Sequence, residues 1–80
     1  MPSPMTDKQG ECALRQLHWC LGTDIGEPRI RELIAMRALN VKEASDLIGA
    51  LIAISRPNTY SEEERADART YIANLLLKYS

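Results

Sequence analysis

Apolar residues recur along this chain every three or four positions, with polar residues between them. That is the period of an amphipathic helix, not of a strand. Ala13, Leu14, Leu17, Cys20 and Leu21 form a first stripe, and Ile30, Leu33, Ile34 and Ala38 a second. Ala44, Leu47, Ile48, Leu51 and Ile54 form a third, and Ala68, Ile72, Leu75, Leu76 and Tyr79 a fourth. Boundary signals bracket each stripe. Thr6 and Gln9 give T-x-x-Q, a capping box, and Gly22 is placed to end the first helix as a C′ residue. Pro28 suits the first position of the second helix, where its missing N–H is no loss. Asn40 and Glu43 repeat the capping-box pattern before the third stripe. Pro57 closes it, because the residue before a proline avoids helical geometry. Ser61 opens the fourth helix, with Glu62, Glu63 and Glu64 in its first turn and Lys78 in its last, as the helix dipole favours. The pattern predicts helices over roughly 6–22, 28–39, 41–55 and 61–79. The expected fold is all-α, a compact bundle of four short helices in a single domain, residues 1–80.

Composition agrees with this reading. Of the 80 residues, 45% are hydrophobic, enough for a folded domain; Phe is absent, and Ala, Leu, Ile, Arg and Glu dominate. A core this small is thin, and association is one way to complete it. The formal charge of −1 gives the molecule no general attraction for nucleic acid or anionic lipid. No apolar run reaches membrane-spanning length and no signal-peptide core is visible, so a cytoplasmic protein without membrane contact is expected.

Chemistry-bearing residues are few. Cys12 and Cys20, eight residues apart on one helix, have Cα atoms separated by about 12 Å. That exceeds disulfide reach, so two free thiols are expected. His18 is the single histidine, and neither H-x-x-x-H nor C-x-x-C occurs. His18 and Cys20 point to different sides of a helix. No nucleophile is paired with a base by spacing, and the scattered glycines form no phosphate loop. No catalytic residue, metal ligand or cofactor is expected.

The segment LRQLHWCLG, residues 14–22, answers as packing. On a helical wheel with Leu17 at zero, Trp19 falls at about 200°, Cys12 at about 220°, Arg15 at about 160° and Lys8 at about 180°. Trp19 therefore faces away from the stripe, together with Cys12 and two cations. Two readings follow: a partner covers it, or the first helix is sandwiched between others. Trp and Arg are the residues in which interface hot spots are enriched. Met36 and Leu39 lie off the stripe of the second helix, as do Ala73 and Leu77 on the fourth. The candidate interface is thus Cys12, Arg15, Trp19, Met36 and Leu39, with a homodimer expected. A competing use of the surface is phosphate contact through Arg29, Arg31, Arg37 and Lys42. No aromatics interleave with these cations, and i, i+3 and i, i+4 carboxylates accompany them. The second and third helices also have the short join of a helix-turn-helix, but Glu43 and Asp46 at the start of the third would repel phosphate.

Two pieces, PMTDKQ at residues 4–9 and LNVKEASDLIGAL at residues 39–51, resemble a small helical domain of unknown function. That domain has a T-x-K-Q helix start and an L-[ST]-x-x-E-A-S-x-L-I-x-x-L helix, and it resembles segments of small bacterial and phage proteins, sometimes joined to DNA-processing enzymes. The likeness covers about a quarter of the chain. This chain departs from it in a longer middle and a further helix after Pro57. The resemblance implies no catalytic residues. It implies an accessory protein of a phage or mobile element with an indirect link to DNA metabolism. The expected function is a non-enzymatic protein-interaction module that binds and modulates another protein, for example an inhibitor. The alternative is an accessory nucleic-acid-binding protein.

Overall fold

The computed structural model describes residues 3–20 and 24–80. It is an all-α bundle of four helices: α1 (Asp7–Trp19), α2 (Glu27–Ala35), α3 (Val41–Ser55) and α4 (Glu62–Lys78). Capping boxes start three of them. Thr6 and Gln9 exchange bonds at α1, Asn40 and Glu43 at α3, and Ser61 and Glu64 at α4. Each box satisfies two N–H groups that the first helical turn leaves without a backbone partner. Leu21 and Gly22, where the sequence places the end of the first helix, lie outside the described residues.

α2 differs from expectation at both ends. It starts at Glu27, after Gly26 in the left-handed region at φ 77°. It stops at Ala35, four residues before the expected Leu39. Arg37 takes φ 52°, and the Arg37 N–H donates to the Ile34 carbonyl while the Ala38 N–H donates to the Leu33 carbonyl. This is a Schellman closure with arginine where glycine or asparagine is usual. Nothing in the residue types announces it.

α3 is the central helix. It packs against α1 on one side and α4 on the other, while α2 leans chiefly on α1. Gln9 Nε2 donates to the Val41 carbonyl at 3.0 Å, and Cys20 Sγ donates to the Leu51 carbonyl at 3.3 Å. Chain direction therefore runs parallel in α1 and α3, with α2 as the crossover. Tyr71 and Lys78 both bond Glu43, so α4 returns antiparallel to α3. Leu17, Ile30, Leu39, Leu47, Leu51 and Ile72 are fully enclosed at the junction. Each such side chain contributes about 1.5–3 kcal/mol relative to exposure. The N-terminal segment is tied in as well: the Met5 N–H donates to the Leu39 carbonyl and the Val41 N–H to the Ser3 carbonyl.

α1 also touches two helices, α2 and α3, but its Trp19 side is left exposed, so a sandwich that covers Trp19 is not what forms. α3 is the most enclosed helix, burying Ala44, Leu47, Ala50, Leu51, Ala53 and Ile54 around two sides. Its remaining strip, Lys42, Ser45, Asp46 and Gly49, faces solvent. Ile48 borders the strip and is only half-buried. No helix among the described residues is long and apolar enough to cross a membrane.

Candidate protein-interaction surface

Trp19 is the last residue of α1 and is 68% exposed. The His18 ring meets it edge-on, with centroids 6.0 Å apart and planes at 75°. Arg15, one turn earlier, is exposed on the same side. Cys12 is half-buried in a groove of about 350 Å³ between α1 and α3, lined by Thr6, Lys8, Gln9, Ser45 and Ile48. Neither Cys12 nor Cys20 takes part in a disulfide. Cys20 is buried, and burial raises its thiol above the ordinary value.

Met36 is 65% exposed at the C-cap of α2. It does not share a patch with Trp19. Its neighbour Arg37 pairs with Asp7, at the opposite end of α1. From Asp7 to Trp19 the helix rises about 18 Å. The structure therefore divides the expected interface into two areas. Leu39 belongs to neither, being 1% exposed and part of the core. Its placement on an outer face assumed that the second helix continued through it. The left-handed turn at Arg37 redirects the chain inward before Leu39 is reached. Leu14, placed on the buried stripe, is instead 37% exposed beside a groove between α1 and α2 that Met5, Gly10, Ile34 and Ala35 also line. Leu77, 71% exposed on α4, is a further outward apolar side chain.

The four cations proposed for phosphate contact are each engaged by acceptors within the chain. Arg29 bonds Glu32 and the Tyr79 carbonyl. Arg31 reaches Glu27 at 2.5 Å, and Lys42 reaches Asp46 at 3.5 Å. Arg37 pairs with Asp7. These are mostly exposed pairs, individually weak. Together they place a carboxylate beside every one of the four positive charges, which leaves no uncompensated basic face there.

Sequence reasoning saw Glu43 only as a cap. It is the one charged residue that the described part of the chain buries, at 8% exposure. Glu43 Oε1 accepts from the Asn40 N–H at 3.1 Å and from the Tyr79 hydroxyl at 2.5 Å. Its Oε2 accepts from Lys78 Nζ at 2.7 Å, and its carbonyl accepts from the Tyr71 hydroxyl at 3.3 Å. Burial alone would raise the Glu43 carboxyl. The bonds from Lys78, Tyr79 and Asn40, with the charge of Lys78, outweigh burial and hold it below its ordinary value. Its own bond to Glu43 raises Lys78, and a separate bond to Glu43, followed by burial, raises Tyr79. Such a network fastens the end of α4 to the start of α3. Its residues are all occupied with one another, as in a clasp between the two helices. Among the described residues, no set of three His, Cys, Asp or Glu side chains is placed to hold a metal ion.

Comparison with protein-family models, with curated proteins and with solved structures returned no match for this chain.

Proposed function

We propose that the chain is a non-enzymatic protein-interaction module, a homodimer that binds and modulates another protein. The observation that carries this reading is Trp19, a large apolar ring turned outward at 68% exposure beside Arg15. A tryptophan left this bare on an 80-residue chain forgoes burial that the fold could use, and it supplies the residue type that dominates binding energy at interfaces. The internal pairing of Arg29, Arg31, Arg37 and Lys42 weighs against the nucleic-acid alternative.

The test is a sedimentation-velocity series on wild type and Trp19→Ala, together with photo-crosslinking from position 19. Wild type is expected to approach twice its 9.0 kDa monomer mass as concentration rises. Loss of a hot-spot residue costs about 2 kcal/mol, roughly a thirty-fold change in affinity. Trp19→Ala should therefore shift association to higher concentration while leaving helical circular dichroism largely intact. A benzoylphenylalanine at position 19 should give adducts in cells that the same probe at Glu63 does not. A wild type that stays monomeric at millimolar concentration rejects the homodimer. Equal adduct patterns from positions 19 and 63 reject the surface itself.

A further inference from the structure

A second groove runs between α3 and α4, away from the α1 surface. Its floor is built from small residues, Gly49, Ala50, Ala53 and Ala68. Tyr60 and Tyr71 line it with aromatic rings, and Ser45, Asp46, Glu64 and Asp67 complete the lining, for a volume of about 460 Å³. Three carboxylates and no cation line it.

Gly49 is the unexplained residue here. It sits in the middle of α3, where glycine is a poorer helix former than alanine. It has no positive φ to justify it. A Cβ built at this position meets nothing within 4 Å. Among the described residues no packing requires the bare backbone, which lies open to whatever enters the groove. Asp67 and Glu64 also remain available, while Asp46 is shared with Lys42. Asp67 has no hydrogen bond or ion pair among the described residues. Glu64 Oε1 accepts from the Ser61 N–H, which leaves its other oxygen for a further partner. Asp46 reaches Lys42 only at 3.5 Å. Arg65 and Arg69, the cations of this part of α4, do not line the groove. The negative field is felt at the wall, where burial first and then Asp46 and Glu43 push the Tyr71 hydroxyl up to about 12.

We propose that this groove docks an arginine-bearing helical segment of a partner protein. The occupant's backbone lies over Gly49 and Ala53, and its guanidinium sits against the tyrosine rings under Asp46, Glu64 and Asp67. The small floor admits a close approach of another backbone. Aromatic rings attract a cation over their faces, and a guanidinium both stacks on a ring and bonds a carboxylate in a planar fork, which an ammonium does not. The proposal does not depend on Trp19, and either surface can fail without the other.

The probe is a blocked alanine-based helical peptide with arginines four residues apart. It is titrated into the ¹⁵N-labelled full chain, with the citrulline-substituted peptide as its uncharged counterpart. The expected result is saturable shifts at the amides of Gly49, Ala50, Ala53 and Ala68 with the arginine peptide and none with the citrulline peptide. Gly49→Leu keeps helical circular dichroism, since leucine favours helix and space is open at its Cβ, and it should lower affinity at least tenfold. Asp67→Asn should lower affinity without altering the shift map. Shifts as large at Glu62 and Glu63, or insensitive to Gly49→Leu, would mean unspecific charge attraction and overturn the proposal. So would equal binding of the citrulline peptide, or the same shift map with spermidine. Concentration-dependent shifts at these residues in the protein alone would assign the groove to a second copy of the chain, which also overturns it.

Discussion

Replacing Glu43 by glutamine changes charge with almost no change of shape, at the single point where α2's exit, α3's start and α4's end converge. Glutamine can still accept the Asn40 N–H, since a capping box takes either residue. Its amide group, however, points donors at the donors of Lys78. Bonds to a charged acceptor contribute about 1.5–3 kcal/mol, against about 0.5–1.5 for neutral pairs. Asn40 and Tyr79 both donate to the same carboxylate oxygen. Weakening each by about 1 kcal/mol gives a loss of about 2 kcal/mol. Lys78 is left out of this sum because its side chain is 62% exposed and simply rehydrates. For a domain of this size about 2 kcal/mol is a shift of roughly 8–16 °C in melting midpoint. The pH dependence has a definite sign. The folded-state carboxyl lies below its ordinary value of 4.5. Its contribution is therefore fully present above that value and is lost as pH falls through the lower folded value. Urea unfolding of wild type and Glu43→Gln from pH 7 downward should show a gap that is constant at neutral pH and narrows only below pH 4.5. A gap under about 0.5 kcal/mol at pH 7, the range of ordinary surface substitutions, refutes the clasp. A gap unchanged by acid refutes its electrostatic origin.

Three further substitutions test the fold. Leu51→Ala, at a fully buried position of α3, should cost about 2–5 kcal/mol in chemical denaturation. Gly26→Ala should destabilise by at least the roughly 1–2 kcal/mol of an L-residue held left-handed, because its Cβ would also lie 2.7 Å from Leu76 Cδ1. Arg37→Gly should do the opposite and raise the unfolding free energy by up to about 1 kcal/mol, relief of the left-handed arginine outweighing glycine's greater unfolded freedom. A fall in stability on Arg37→Gly would show that the Asp7 pair matters more than the backbone.

What was legible in the sequence was local. Capping boxes join residues three apart, and apolar stripes need one helix only, so all four helices could be placed from residue types. The pairs Arg29–Glu32, Arg31–Glu27 and Lys42–Asp46 were legible for the same reason. Long-range relations were not. A wheel shows which side of α1 is apolar, not that α3 has neighbours on two sides. Glu43 advertises its cap to Asn40, but its other partners lie 35 and 36 positions away at Lys78 and Tyr79. Leu39 was misplaced because an arginine ends α2 in a conformation its residue type does not signal. Gly49 passed as an ordinary glycine because only the structure reveals that nothing stands over it.

The placement of α2 has a consequence for motion. A left-handed residue, Gly26 before it and Arg37 after it, flanks each end of this helix. Arg31 and Glu27 pair within it, as do Arg29 and Glu32, and these bonds travel with it. Outside its own turns it is retained mainly by Ile30, Leu33 and Ile34 against α1, and by single bonds from Arg29 to Tyr79 and from Arg37 to Asp7. It has the makeup of a separate cooperative unit, able to lift as a body without melting. In native-state hydrogen exchange its amides should therefore open at lower free energy than those of α3, in a step short of global unfolding. That excursion bares the side of α1 carrying Gly10 and Leu17, and gives the molecule a transient apolar surface that its closed form conceals.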